Sequence, residues 1–354
     1  MKFLFRAAAP LAAGFALLFT APAMADGGGA VYTQSNAPTG NAVHRLDRGP
    51  DGLLTPVATY RTGGTGTGAT LFSQGAVALS DDGRLLVAVN AGSNDISSFR
   101  VSRRGHLQVI GRYPSGGTHP NSVDIDGGSV YVLNSMGVAN VTSFDLDGSG
   151  NLRPRNSSAL TAGATGAAQV QVAPGGRDLV VSVRQSNRIE TFPLRFGRIG
   201  APVVTNSSGA VPFGFGFSSR GDLVVSEAGA STVSSYRLNG NGTARVISAS
   251  LPVGQGAACW VAVTADGRFA YTGNASGSIS GYSIARDGAL TALTAGGLTA
   301  AAPRPNDLAV AGRYLYAVNP AVGEVTAYRI ANDGRLTPMP GVANLGTLAG
   351  LAAR

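Results

Sequence analysis

Short segments in which apolar residues alternate with other residues recur along the chain at a nearly constant interval. They occupy positions 76–79, 122–125, 169–172, 214–217, 260–263 and 307–310. With Val77, Val123, Val170, Phe215, Val261 and Leu308 as markers, the successive steps are 46, 47, 45, 46 and 47 residues. Strict alternation with a repeat of this length is typical of β-propeller blades, as in WD40- or YVTN-like repeats.

Each repeat carries the pattern of four antiparallel strands. A glycine turn follows the marker strand, and a second apolar strand such as 85–89 or 314–318 comes next. A third strand reaches an aromatic residue in every repeat, and the fourth strand begins after another glycine. The six aromatic residues are Phe99, Phe144, Phe192, Tyr236, Tyr282 and Tyr328.

The two ends of the chain complete the ring. Six full blades account for about residues 70–340, and 30–33, 42–46 and 52–60 fit a second, a third and a fourth strand. The segment 345–352 can supply the missing innermost strand. We therefore predict an all-β fold, a single seven-bladed β-propeller domain over 26–354, closed by strands from both termini so that few sheet edges stay exposed.

The first 25 residues have the order of a secretory signal peptide. Lys2 and Arg6 precede an apolar run at 7–19, and Ala23-Met24-Ala25 stands just before Asp26. The apolar run is too short for a comfortable membrane span, and no other stretch approaches the roughly 20 residues that a span needs. The sequence predicts export to the periplasm or the medium, with no transmembrane segment in the mature chain.

Charge and composition narrow the possible partners. The formal net charge is +8, and Lys2 is the only lysine, so arginines carry nearly all positive charge. This bias reflects either a GC-rich genome or an arginine-lined site for carboxylates or phosphates. The arginines are spread along the chain, which argues against a nucleic-acid face. The single cysteine excludes an internal disulfide, and three histidines in different blades indicate neither a metal nor another cofactor.

A propeller brings the starts of its innermost strands and the ends of its second strands to one mouth of the central channel, which is the usual ligand site. Among the residues placed there, we select Glu227 as the candidate catalytic acid or base, because other second strands end in asparagine or arginine. The candidate ligand-binding residues are His119, Asn121, Gln169, Arg184, Arg304 and Asn306.

Several motifs resemble the lactonase-like seven-bladed propellers, which include 6-phosphogluconolactonase and carboxymuconate lactonizing enzymes. The similar stretches are 80–90, 115–121, 226–233 and 316–319. The resemblance implies a lactone-hydrolysing or cyclising ancestor. Of the polar set usual in that family, only the carboxylate matches, at Glu227, whereas Gln169, Phe213 and Ala275 stand at three other positions.

Two functions follow as hypotheses. The first is an exported, monomeric, lactonase-like propeller that binds a small anionic or sugar-like molecule in its funnel, with residual lactone hydrolase or cyclase activity. The alternative is a non-enzymatic binding or scaffold propeller of the cell envelope. A quinone-dependent dehydrogenase is disfavoured because the chain has one tryptophan and lacks a set of metal ligands.

Overall fold

The computed structural model describes residues 28–354, and every regular element in that range is a β-strand. The predicted signal peptide, residues 1–25, lies outside the described residues. No helix in residues 28–354 is long and apolar enough to cross a membrane.

Thirty strands form seven antiparallel sheets, each of four or five strands, which are the blades of a β-propeller. Blade 1 contains β1 (Gly29–Gln34), β2 (Ala42–Arg48), β3 (Leu54–Arg61) and the last strand, β30 (Ala349–Ala353). Blade 2 contains β4 (Val77–Leu79), β5 (Leu85–Asn90), β6 (Asp95–Val101) and β7 (Leu107–Pro114). Blade 3 contains β8 (Thr118–Asp126), β9 (Ser129–Met136), β10 (Asn140–Leu146) and β11 (Leu152–Ala159).

The other four blades repeat this order, except that in blades 4 and 6 two short strands pair with the third strand in place of a single fourth strand. Blade 4 contains β12 (Ala167–Val172), β13 (Asp178–Val183), β14 (Arg188–Arg195), β15 (Arg198–Ile199) and β16 (Val203–Asn206). Blade 5 contains β17 (Pro212–Phe217), β18 (Asp222–Glu227), β19 (Thr232–Leu238) and β20 (Ala244–Pro252). Blade 6 contains β21 (Ala258–Val263), β22 (Phe269–Asn274), β23 (Ser278–Ile284), β24 (Leu290–Ala292) and β25 (Ala300–Ala301). Blade 7 contains β26 (Asp307–Ala311), β27 (Tyr314–Asn319), β28 (Glu324–Ile330) and β29 (Leu336–Val342).

The prediction of seven blades closed by both termini is confirmed. β30 pairs antiparallel with β1, with Val31 opposite Ala353 and Tyr32 opposite Ala352. The C-terminal strand is thus the innermost strand of a sheet whose other three strands come from the N-terminal part of the chain. The closing strand begins at Ala349, four residues later than the predicted 345.

The burial pattern explains why the repeat folds in this way. The second strand of a blade is covered on both faces, and all six residues of β5, β18, β22 and β27 are buried. The outer strands, such as β7, are largely exposed, so they tolerate polar residues. The predicted third-strand aromatics are all at most 2% exposed, because they fill the space between blades.

The innermost strands surround the central channel, and each runs from the same face of the ring to the other. We call the face where these strands begin the upper face and the face where they end the lower face.

Candidate functional site

The segment Ser73-Gln74-Gly75, just before β4, crosses the central channel and plugs it. The Gln74 side chain donates to the Val261 carbonyl at 2.6 Å and accepts from the Val261 backbone N–H at 2.8 Å, across the ring in blade 6. The Gln74 N–H donates to the Ala168 carbonyl in blade 4, and the Gly75 N–H donates to Asp307 in blade 7. One short segment therefore ties blade 2 to three blades that are not its neighbours.

This plug separates an upper cavity from a lower one. Ser73 lines the upper cavity, whereas Gln74 and Gly75 line the lower cavity. Trp260 holds the upper side of the plug, because its indole N–H donates to the Ser73 carbonyl at 3.0 Å. A ligand that enters from the upper face therefore meets a closed floor.

The upper cavity has a volume of about 530 Å³ and walls that are mainly apolar and aromatic. Phe213 and Trp260 meet edge to face, with ring centroids 5.3 Å apart. Phe72 is 57% exposed and has a φ of +49°, in the left-handed region that bulky residues rarely adopt. Two of the predicted ligand-binding residues, Arg304 and Asn306, line this cavity.

Arg184 lies beside the same cavity, although its position in the repeat differs from the predicted one. It was placed at the end of a second strand, but β13 ends at Val183, which pairs with Arg188 as Asn90 pairs with Asp95. Arg184 is therefore one residue beyond the asparagine position. Its guanidinium lies over the rings of Phe213 and Phe72, with its central carbon 5.1 and 5.4 Å from their centroids. Burial lowers the pKa of Arg184.

Three predicted ligand-binding residues lie elsewhere. Gln169 bonds both backbone groups of Phe215 and lines the lower cavity. Asn121 is 1% exposed and donates to the Ala167 carbonyl at 2.9 Å. His119 shares a hydrogen bond with the Ser135 hydroxyl, and burial lowers its pKa. Neither Asn121 nor His119 is among the residues that line the two channel cavities.

Glu227 is enclosed within blade 5 rather than in the channel. Its carboxylate is fully buried and accepts hydrogen bonds from Thr232 at 2.5 Å, Ser234 at 2.7 Å and the Gly209 N–H at 2.7 Å. Three further hydroxyls lie within 3.3 Å, those of Ser207, Tyr236 and Ser250. A carboxylate surrounded by six donors is well satisfied, so its catalytic role stays a prediction that this geometry does not support.

The repeat explains what Glu227 does in the fold. The equivalent residue Asn90 donates to Asp95 and Ser97 on the third strand, and Asn274 donates in the same way to Ser278 and Ser280. These asparagines join the second strand to the third. Glu227 performs the same task with the polarity reversed, because it accepts where they donate.

The lower cavity, about 300 Å³ in volume, contains two carboxylates that were not among the candidates. Asp307 accepts from the Gly75 N–H at 3.1 Å and from its neighbour Leu308 at 2.8 Å, and burial raises its pKa to about 7. Asp124 accepts from the Val172 N–H at 2.7 Å, and burial raises its pKa to about 6. Both residues lie at channel-facing positions of the marker strands. This position in the repeat is the sequence feature that could have identified them as candidates. No group of three or more metal-ligating side chains occurs among residues 28–354.

The comparisons with known proteins decide the family. The family described as "Lactonase, 7-bladed beta-propeller" matches residues 40–162, 140–259 and 243–347, overlapping segments that together span most of the chain. The chain belongs to this lactonase family of propellers. No curated protein sequence matches this lactonase-family propeller.

Solved structures share the fold at low sequence identity. A candidate 6-phosphogluconolactonase of Bacteroides fragilis is 18% identical, with a TM-score of 0.74 over 94% of this chain and 99% of that one. The periplasmic gluconolactonase PpgL of Pseudomonas aeruginosa is also 18% identical, with a TM-score of 0.74 over 92% of this chain and 99% of that one. At these identities the similarity shows the propeller fold alone.

Proposed function

We propose that this lactonase-family propeller is an exported protein that binds a small anionic or sugar-like molecule in its upper cavity. The observation that carries the proposal is the composition of that cavity. A cation and an amide, Arg304 and Asn306, stand in an aromatic wall made by Phe72, Phe213 and Trp260. Ligand pockets commonly combine a few convergent polar groups with apolar walls in this way.

Arg184 supports an anionic rather than a neutral ligand. Its guanidinium is partly removed from water between two aromatic rings, its Nε donates to the Gly166 carbonyl at 3.1 Å, and within residues 28–354 it forms no ion pair with a carboxylate. A partly desolvated cation without a carboxylate partner gains more from a bound anion than an exposed one does. An acidic group on the ligand is therefore the expected partner of the two cations at this cavity, Arg304 in its lining and Arg184 beside it.

The cavity favours binding over hydrolysis. No aspartate, glutamate or histidine is among the described residues that line it, and Glu227 is enclosed in blade 5. General acid–base catalysis needs a titratable group within hydrogen-bond reach of the substrate. We expect hydrolysis of simple lactones to be weak or absent, although relatives in the fold carry the names of gluconolactonases.

Export is the second component of this proposal. It rests on the sequence of residues 1–25, with Ala23-Met24-Ala25 before Asp26. The intact mass of the protein recovered from the periplasm or medium should correspond to a chain that begins at Asp26. A protein that retains residues 1–25, or that stays in the cytoplasm, would contradict export.

The binding proposal is tested by calorimetric titration with gluconate and with a small panel of aliphatic and aromatic carboxylates. Arg304→Gln should weaken binding at least about tenfold, because a charge-assisted hydrogen bond contributes about 1.5–3 kcal/mol. The matched control is Arg313→Gln, an exposed arginine of the same blade on the lower face. Equal affinities for the two variants, or no binding by the unmodified protein, would refute the site.

Catalysis is tested separately with glucono-δ-lactone. Purified protein and the Glu227→Gln variant are compared for hydrolysis above the spontaneous rate, with circular dichroism as a check that the variant is folded. Rapid turnover that disappears in a folded Glu227→Gln protein would restore Glu227 as the catalytic residue.

A further inference from the structure

The upper cavity offers a ligand few free polar side chains. The Ser73 hydroxyl already donates to the Asn121 carbonyl at 2.7 Å, and the Trp260 indole already donates to the Ser73 carbonyl at 3.0 Å. Burial raises the pKa of the Cys259 thiol to about 12, so this group is neutral. Within the described lining, the remaining polar side chains are Thr70, Arg304, Asn306 and Thr347. A ligand with many hydroxyl groups would find few side-chain partners here, and each hydroxyl that loses water without gaining a partner weakens binding.

The apolar side chains lie deep in the cavity and the charged one lies at its mouth. Trp260 contacts the plug, which forms the floor, and Trp260 and Phe213 are each 4% exposed. Leu348 is also buried, whereas Arg304 and Phe72 are exposed. Exposure thus rises from the floor to the mouth. A ligand that fits this gradient places its apolar part against the floor and its charged group at the mouth.

Arg304 and Phe72 belong to a set of repeat positions that surrounds the mouth. In blades 3 to 7, the fourth residue before the marker of the innermost strand has a φ between +56° and +71°, and Phe72 has a similar φ in blade 2. We call this set the upper rim, and its members are Phe72, His119, Gly166, Val211, Ala257 and Arg304. Burial lowers the pKa of His119, so this side chain is neutral at pH 7. Arg304 is therefore the only charged member of the upper rim, which suits a ligand with one anionic group.

We propose that the upper cavity binds a monocarboxylate that carries an aromatic ring. The ring contacts Phe72, Phe213 and Trp260, and the carboxylate pairs with Arg304. This inference rests on the anion-binding function proposed above and specifies its ligand. Phe213 and Trp260 already meet edge to face, with centroids 5.3 Å apart, and a third ring can extend this cluster in the same geometry. The cavity, about 530 Å³ in volume, accommodates one ring with a short side chain.

The first test compares three probes that each carry one carboxylate: phenylacetate, cyclohexylacetate and gluconate. Each probe is titrated calorimetrically into the unmodified protein at pH 7 and constant ionic strength. Phenylacetate should bind at least about tenfold more tightly than gluconate, because gluconate must leave desolvated hydroxyls unpaired. It should also bind more tightly than cyclohexylacetate, because only an aromatic ring makes edge-to-face contacts.

The outcomes separate this inference from the function on which it rests. Gluconate binding as tight as that of phenylacetate, and lost in Arg304→Gln, overturns the aromatic ligand and keeps the anion site. Equal binding of cyclohexylacetate and phenylacetate also overturns it, because the cavity would then require apolar bulk rather than a ring. If none of the probes binds, or if Arg304→Gln and Arg313→Gln bind equally, both the inference and the proposed function fail.

A pair of variants tests the contact with the ring. Phe72→Leu keeps apolar bulk at an exposed position but removes an aromatic face, so it should weaken phenylacetate binding about threefold to tenfold and leave gluconate binding unchanged. The matched control is Phe196→Leu, because Phe196 is 97% exposed, has a φ of +51° and lies in the β14–β15 turn on the lower face. Circular dichroism checks that both variants are folded.

Equal phenylacetate affinities for the two variants would contradict contact between Phe72 and the ring. An equal loss of phenylacetate and gluconate binding in Phe72→Leu would also contradict it, because Phe72 would then act only by positioning the Arg184 guanidinium that lies over its ring.

Discussion

Asp307 should make the propeller less stable as the pH rises from about 4 to about 7. Its carboxylate lies in the lower cavity, where it accepts the Gly75 N–H of the plug, and burial raises its pKa from 3.8 to about 7. Between these values the folded protein holds a proton that the unfolded chain has released. Stability therefore falls with rising pH across this window and is constant, as far as this group is concerned, below about 4 and above about 8.

The size of the effect follows from the width of the window. About three pH units at about 1.4 kcal/mol each give an upper limit of about 4 kcal/mol. Asp124, with a pKa raised to about 6, adds a change of the same sign. His44 and His119, whose pKa values burial lowers, oppose it. The dependence of the unfolding free energy on pH therefore combines contributions from several groups.

The Asp307→Asn variant isolates the contribution of the Asp307 carboxyl group to this pH dependence. Urea unfolding is followed by fluorescence from pH 4 to pH 8 for the unmodified protein and the variant, and the difference between their unfolding free energies is plotted against pH. The other groups cancel in this difference, and the loss of one acceptor oxygen adds a cost that does not depend on pH. The unmodified protein should lose up to about 4 kcal/mol relative to the variant as the pH rises.

Asp82→Asn is the control of opposite sign. The Ser80 hydroxyl and the Arg84 N–H donate to the Asp82 carboxylate and lower its pKa. Removing that carboxylate should therefore cost stability at neutral pH and little at low pH. A difference for Asp307→Asn that stays flat, or that has the same sign as that of Asp82→Asn, would refute the argument from burial.

Three further outcomes are expected. Glu227→Gln should lower the free energy of unfolding by about 1–3 kcal/mol in urea titrations, because an NH2 donor replaces one of the two oxygens that accept from the Gly209 N–H and five hydroxyls; unchanged stability would contradict the structural role. Deleting residues 345–354 should lower the melting temperature and cause aggregation by exposing the edge of β1, and a deletion variant as stable and soluble as the full chain would contradict closure by β30. Cys259, whose thiol pKa burial raises to about 12, should react with Ellman's reagent at pH 8 far more slowly in the native than in the urea-unfolded protein, and equal rates would show that it is accessible.

The blade architecture was predictable because its causes are local. A strand covered on both faces must be apolar, a tight turn needs glycine, and each blade repeats this sequence about every 46 residues. The assignment of 30–33, 42–46 and 52–60 to one sheet with the C-terminus depends only on counting which strands the repeat still lacks. The structure places those strands at β1, β2, β3 and β30.

The candidate site was predicted less completely because it depends on which way single residues point. A shift of one residue in a strand reverses the face of its side chain, and Arg184 lies one residue past the position assigned to it, next to Phe213. Glu227 stands at the predicted place in its strand, but its side chain points into the blade and meets Thr232 and Ser234. Glutamate is rare in this sequence, so Glu227 stood out as a candidate functional residue. The rarity of a residue type gives no information about the groups that surround its side chain.

By itself, the sequence determined the repeat, the number of blades and the position of every blade, because hydrophobic alternation and turn chemistry act over a few residues. Only the tertiary structure decided what fills the channel and what gathers at its faces. Gln74 and Val261 are 187 residues apart, and Arg45 meets the turn at Arg104 from a different blade. Contacts of this kind arise when the ring closes, so no local pattern in the chain encodes them.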